Sequence, residues 1–149
     1  MMIRQAKIED VPDWSRMRFA LWPEGSREEH EAEIREMLIS NAKGVTFVCE
    51  RERGGLQGFV EVSIRAYAEG CSTDRVGYIE GWYVDEDVRL QGVGRKLIEA
   101  AEGWAISQGC LEMGSDVLLD NLMSQKAHEQ LGYEEVERIV CFRKPLSEP

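Results

Sequence analysis

Apolar positions recur along the chain in two rhythms. Short runs, alternating or continuous, at residues 2–6, 45–51, 56–64, 76–84, 112–115 and 134–144 have the length and patterning of β-strands. Between them, apolar residues fall three and four positions apart. Pro12 in a first helical turn behind Asp10 opens one helix that runs to about Trp22, where Pro23 and Gly25 break it. Ser26 and Glu29 have the spacing of a capping box and start a second helix on Ile34, Met37 and Leu38, its other face densely charged and including His30, read as solvated. Val93, Leu97, Ala101 and Trp104 share one face of a third helix over 92–108, stopped by Gly109, and a fourth runs over 122–131 to Gly132. Gly54-Gly55 joins the second and third strands as a hairpin, and a polar loop spans 66–75. The order β-α-α-β-β-β-α-β-α-β predicts an α/β (α+β) fold: a mixed, mostly antiparallel sheet flanked by helices, with 1–149 as one domain.

Composition narrows the classes. At 149 residues and 43% hydrophobic, the chain holds one core. A net charge of −10 repels phosphate backbones and attracts cations, so no nucleic-acid partner is expected. No apolar run approaches the roughly 18 residues that span a bilayer, and the first ten residues lack the apolar stretch of a signal peptide. Cys49, Cys71, Cys110 and Cys141 are scattered, without a C-x-x-C pair and with two histidines in the chain, so reduced thiols and no metal site are expected. The expectation is a cytoplasmic protein with no membrane partner.

Local charge is more informative than the total. Residues 66–88 carry six acids (Glu69, Asp74, Glu80, Asp85, Glu86, Asp87) and one base, Arg75. The next eight, RLQGVGRK from Arg89 to Lys96, carry three bases and no acid. Here a strand ends and a helix begins, and Arg89-x-x-Gly92-x-Gly94 lets the backbone approach a ligand closely. The N–H groups of the first helical turn, the positive end of the helix dipole, Arg89 and Arg95 together favour a pyrophosphate. A Walker P-loop is excluded because no G-K-[ST] follows, and the spacing lacks the six-residue dinucleotide fingerprint.

The R-x-x-G-x-G turn after a strand ending Tyr83-Val84, followed by an amphipathic helix, resembles the acetyl-CoA motif of the GCN5-related N-acetyltransferases (GNAT). NLMSQKAHEQLGY, from Asn121 to Tyr133, resembles that family's next motif, an Asn-opened helix that ends Leu-Gly-aromatic. The likeness sharpens toward aminoglycoside 6′-N-acetyltransferases in LWPEG from Leu21, EVSIRAYAEG from Glu61, YIEGWYV from Tyr78, GSDVLLDN from Gly114 and EEVERIVCFRK from Glu134. The resemblance implies the GNAT fold, acetyl-CoA as donor, an aminoglycoside as acceptor, antibiotic resistance as the outcome, and a homodimer. It implies that the backbone of Trp82, Tyr83 and Val84 hydrogen-bonds the pantetheine arm. Arg89, Leu90, Gln91, Gly92, Val93, Gly94 and Arg95 would hold the pyrophosphate, with Asn121 at the pantetheine or thiol end. Trp22, Tyr67, Glu80, Asp116 and Glu137 would form the acceptor pocket.

Physical chemistry favours this use of the acids. A sugar bearing several ammonium groups is drawn to a cleft of carboxylates and held by charge-assisted hydrogen bonds. An ammonium is not a nucleophile, so a base must take a proton before nitrogen attacks the thioester. Asp116 is the first candidate and Glu80 the second, with substrate anchoring as the alternative role of Glu80. The N–H of Val84 is placed to polarise the thioester carbonyl. The wider family often has a Tyr as general acid where this chain has His128. No cysteine has a base nearby in sequence, which favours direct transfer in a ternary complex over an acyl-enzyme. The same residues also suit an acetyltransferase of another amine, such as a polyamine or a protein N-terminus. A non-catalytic acyl-CoA-binding module, and an acidic interaction domain with an incidental glycine turn, remain open too.

Overall fold

The computed structural model describes residues 2–40 and 43–147. Its elements are β1 (Met2–Gln5), α1 (Val11–Leu21), α2 (Arg27–Ile39), β2 (Gly44–Glu50), β3 (Leu56–Arg65), β4 (Val76–Val84), α3 (Val93–Ser107), β5 (Glu112–Ser115) and α4 (Leu122–Gln130). The five strands lie side by side in chain order, antiparallel except for the last pair, β4 and β5. The chain reaches β5 from β4 through α3, which is what allows those two strands to run parallel.

Strand alternation divides the core in two. Val48 and Phe59 face α1 and α2, joining Val11, Trp14, Met17, Ile34 and Leu56 in one cluster. Their neighbours Cys49 and Val60 face the other way, with Val62 and Ile79, onto Val93, Leu97, Ile98 and Ala101 of α3. α2 begins as its sequence dictates: Ser26 Oγ accepts from the Glu29 N–H at 3.1 Å while Glu29 accepts from the Ser26 N–H at 3.2 Å. Asp10 acts one turn earlier than expected. It closes a 3-10 turn over Ile8–Asp10 by accepting from the Lys7 N–H at 2.8 Å, and it pairs with both Nη atoms of Arg4 at 2.7 and 2.9 Å. One further expectation is corrected. His30 is buried rather than solvated, because position 30 lies four residues before Ile34 on the inward face of α2. Trp14 is core, and Trp104, partly buried, packs against the α3 side of the core. Cys49 and Cys110 are buried free thiols, Cys71 is half-buried and Cys141 exposed.

The expected last strand, 134–144, is the one element that does not form. The segment follows α4 without entering any β-ladder, and Val136, Ile139, Val140 and Phe142 stand exposed along it. A strand needs a partner edge for its N–H and C=O groups, and this segment finds none among the described residues. It passes close to the 66–75 loop: a Cβ on Gly70 would lie 2.3 Å from Val136 Cγ2, so only glycine fits there.

Candidate active site

β4 and β5 diverge. Their ladder runs from Val76 opposite Glu112 to Ile79 opposite Ser115 and stops, while β4 continues to Val84. From Glu80 onward β4 is paired only with β3, so the edge that faced β5 carries unused backbone groups. A bulge sits at the point of divergence: Glu61 is opposite Gly81 and Val62 opposite Ile79, which leaves Glu80 as the extra residue. It places Glu80 and Gly81 together on the α1–α2 face of the sheet. The open edge therefore lies beside a carboxylate.

Beyond β4 the chain is fixed by ion pairs and then turned by two left-handed residues. Asp85 is buried and pairs with Arg16 of α1 (3.0 and 3.1 Å) and Arg51 (2.8 Å). Burial alone would raise the Asp85 carboxyl, but the two guanidinium groups outweigh it and hold it below the usual carboxylate range. Asp10, with Arg4 and the Lys7 N–H opposing the same burial, is likewise lowered. Stability from both is present above the ordinary carboxylate range, about pH 4, and is lost as pH falls through their depressed values. Thermal melts from about pH 6 down to about pH 2 are expected to show that acid limb, and Asp85→Asn to flatten it.

Leu90 (φ 65°) and Gly92 (φ 91°) both adopt the left-handed conformation, so that successive N–H groups turn toward one concavity ahead of α3. The first α3 bond runs from Lys96 N to Gly92 O at 3.1 Å, so the N–H groups of Val93, Gly94 and Arg95 have no intrahelical acceptor. Leu90 is a non-glycine residue in a costly conformation and is fully exposed, so its own side-chain packing does not hold it there. The glycines differ in purpose. Gly92 faces open space and is needed for its φ, whereas a Cβ on Gly94 would press to 3.0 Å from Trp82 Cζ2. The Trp82 indole N–H is buried without a hydrogen-bond partner among the described residues, another unused donor at the slot. Arg89 turns back to donate to the Val84 carbonyl at 2.9 Å, and Arg95 reaches the Gln130 carbonyl at 3.4 Å.

The opposite side of the slot is acidic and tightly wired. Glu80 is held by Ser63 Oγ and by the Nε (2.9 Å) and Nη2 (2.7 Å) of Arg65. That guanidinium lies 3.6 Å from the centre of the Tyr78 ring, and the Tyr78 hydroxyl donates to Asp116 Oδ2 at 2.5 Å. Burial first, and then Asp116, push the Tyr78 phenol well above its ordinary range, so it remains a donor to a carboxylate. Asp116 itself follows β5 directly and is exposed. Trp22 crosses the backbone at Gly81, where a Cβ would sit 2.5 Å from its Cη2. The fold thus gathers Trp22, Glu80 and Asp116 on one face at the divergence of β4 and β5. Tyr67 and Glu137 are exposed, Tyr67 on the 66–75 loop and Glu137 beside Val136, which packs against that loop at Gly70.

Both ring nitrogens of His128 are engaged within the chain. Its Nδ1 lies 2.7 Å from the Ser124 carbonyl, which can only accept, so Nδ1 carries a proton, and its Nε2 lies 2.8 Å from Ser115 Oγ. Tyr133 donates to Glu102 at 2.7 Å. Asn121 caps α4, its Oδ1 accepting from the Ser124 N–H at 3.1 Å, which leaves its amide NH2 for another partner. Among the described residues, no cluster of three His, Cys, Asp or Glu side chains could hold a metal ion.

A parallel strand pair that parts around a bulge, followed by an N–H-lined turn into a helix, is the architecture of an acyl-CoA-dependent transferase. Residues 9–133 match the model of the acetyltransferase (GNAT) family, and the chain belongs to that family. It is 42% identical, with 97% of each chain covered, to an aminoglycoside N(6′)-acetyltransferase type 1 of Klebsiella aerogenes. It is 41% identical to the Serratia marcescens protein of the same name, covering 93% of this chain and 94% of that one. Its fold superposes with a TM-score of 0.90 on the structure of AAC(6′)-Iy with the bisubstrate analogue CoA-S-monomethyl-acetylneamine, at 36% identity and 97% coverage of both chains.

Proposed function

We propose that this chain moves the acetyl group of acetyl-CoA to the 6′-amino group of aminoglycoside antibiotics, by direct transfer while both substrates are bound, and thereby confers resistance. The observation that carries the proposal is the carboxylate face of Glu80 and Asp116 opening onto the unpaired edge of β4. The relatives' names supply the acceptor class and the position.

The residues present fit the donor. The free β4 edge at Trp82, Tyr83 and Val84 suits an extended amide-bearing arm, and the turn from Arg89 through Leu90, Gln91, Gly92, Val93 and Gly94 to Arg95 suits a pyrophosphate. The unsatisfied Trp82 indole and the Asn121 amide NH2 are further donors along that path. When bound, acetyl-CoA supplies a thioester carbonyl as electrophile. The chain's own groups do the rest. Val84 N–H donates to that carbonyl oxygen. The Asp116 oxygen not engaged by Tyr78 takes the proton from the acceptor ammonium, directly or through water. The amine so freed forms the amide bond as the thioester C–S bond breaks, displacing CoA as a thiolate that takes up the second amine proton by way of water. Glu80, already committed to Arg65 and Ser63, anchors the antibiotic rather than serving as first base. Trp22, Tyr67 and Glu137 complete the pocket wall. No metal takes part. Initial rates with both substrates varied are expected to give intersecting reciprocal plots and a 6′-N-acetyl product; parallel plots, the pattern of an acyl-enzyme, would contradict direct transfer. Gly94→Val, by displacing Trp82, is expected to raise the acetyl-CoA KM about tenfold with little change in the acceptor KM.

The reading includes a homodimer. The 134–144 segment has a strand's pattern but forms no strand, and among the described residues β5 is an edge strand with no second neighbour. Pairing that segment with β5 of a second copy covers Ile139, Val140 and Phe142 and satisfies both backbones. Light scattering is expected to report twice the chain mass, and one chain mass for Ile139→Lys with Phe142→Lys. The reading also places the enzyme in the cytoplasm, with no membrane or nucleic-acid partner. No helix of the described residues is long and apolar enough to cross a membrane.

A further inference from the structure

Trp22 owes its position to a buried polar assembly that the chemistry does not use. Arg18, His30 and Glu61 are each nine-tenths or more buried. Arg18 Nη1 donates to both oxygens of Glu61 (2.9 and 2.8 Å), Glu61 Oε2 also accepts from the Trp14 indole at 3.0 Å, and Arg18 Nη2 pairs with Glu33. Arg18 Nε donates to His30 Nδ1 at 3.2 Å, and His30 Nε2 lies 2.9 Å from the Trp22 carbonyl. A guanidinium has no acceptor and a carbonyl has no donor, so these two contacts fix one tautomer: neutral imidazole, lone pair on Nδ1, proton on Nε2. The same ring stacks on the Trp22 indole, with centroids 6.4 Å apart and planes 23° from parallel. Arg18 lies 4.9 Å from the indole centre, and the Trp22 N–H bonds the Arg18 carbonyl at 2.7 Å. Phe19 closes the edge of the imidazole, and Gly25 folds over Nε2 with room for no more than a hydrogen.

We propose that His30 is a positioning residue for acceptor specificity. Held as the Nε2–H tautomer by Arg18, it pins the carbonyl and the ring of Trp22 across Gly81, beside Glu80, where the aminoglycoside docks. The proposal rests on the reading of Trp22 as a wall of the acceptor pocket. Without His30, Trp22 loses the stacking ring and the hydrogen bond that tie it to α2 just beyond the end of α1, and the indole is held less firmly in the slot.

The test is the kinetics of three variants. His30→Gln keeps an N–H for the Trp22 carbonyl and an oxygen for Arg18; His30→Phe keeps the stacking and loses both polar contacts. His30→Phe is expected to raise the aminoglycoside KM about tenfold, the scale of one lost buried hydrogen bond, with kcat and the acetyl-CoA KM within about twofold. His30→Gln should restore most of the acceptor KM. Trp22→Ala separates this proposal from the reading beneath it. An unchanged acceptor KM in Trp22→Ala removes Trp22 from the pocket, whereas a raised KM there with an unchanged KM in His30→Phe overturns the role of His30. Nitrogen NMR of the His30 ring in the unaltered protein reads the tautomer whether or not the variants fold. A protonated Nε2 with a bare Nδ1 is expected, and a proton on Nδ1 overturns the proposal.

Discussion

Asp116→Asn is expected to lower kcat by about 10²- to 10³-fold, within the range that a positioned base contributes. The substitution is isosteric and keeps an oxygen for the Tyr78 hydroxyl, which donates to Asp116 Oδ2 at 2.5 Å. What it removes is the negative charge and the ability to take a proton. Because Asp116 is exposed, its loss should leave the melting temperature within about 2 °C and the acetyl-CoA KM nearly unchanged. Glu80→Gln should behave differently. Glu80 is bound through Arg65 and Ser63, so its variant is expected to raise the acceptor KM more than it lowers kcat. Steady-state kinetics of the two variants distinguish the roles. A kcat for Asp116→Asn within about threefold of the unaltered enzyme would remove Asp116 from proton transfer.

Arg18→Met is expected to cost about 3–5 kcal/mol, which for a chain of this size lowers the melting temperature by on the order of 10 °C. The cost comes from what remains: Glu61 sits buried in β3 with only the Trp14 indole for company. Burial already pushes the Glu61 carboxyl up, against the pull of Arg18, so removing Arg18 pushes it further. A carboxyl raised in the folded state contributes most below its unfolded value and progressively less as pH climbs through the folded value. The variant should therefore lose more stability relative to the unaltered protein at pH 8 than at about pH 5. Replacing both partners, Arg18→Met with Glu61→Leu, should recover much of the loss. Urea titrations at the two pH values measure it, and equal losses at both would mean that Glu61 is not a stranded charge.

The elements that could be read from sequence are those whose signals are local and reciprocal. Ser26 and Glu29 specify the start of α2 by satisfying one another's N–H groups, and the five strands and α3 follow from their apolar runs and 3.6-residue spacing. His30 was legible by position and hidden by residue type: 30, 34, 37 and 38 share one helix face, but a histidine among glutamates reads as solvent-facing. Glu61, an acid inside the apolar run of β3, is the signal that could have found its partner on α1. The Glu80 bulge leaves no mark in a single strand, because an extra residue exists only relative to the register of its neighbour. The 134–144 segment has a strand's pattern and no partner edge among the described residues, which pattern alone cannot reveal. The glycine turn into α3 was legible, while the positive φ of Leu90 was not, since nothing in a leucine announces it.

The central claim is that an acidic slot beside the open edge of β4 delivers acetyl to a 6′-amine of an aminoglycoside. Thiol release from acetyl-CoA tests it most directly, measured with a matched pair of aminoglycosides bearing an amine or a hydroxyl at the 6′ position, alongside spermidine and a basic peptide. Rapid turnover is expected with the 6′-amine, loss of that turnover with the 6′-hydroxyl partner, and little with spermidine or the peptide. Turnover confined to spermidine or the peptide, or equal turnover with both members of the pair, would contradict it.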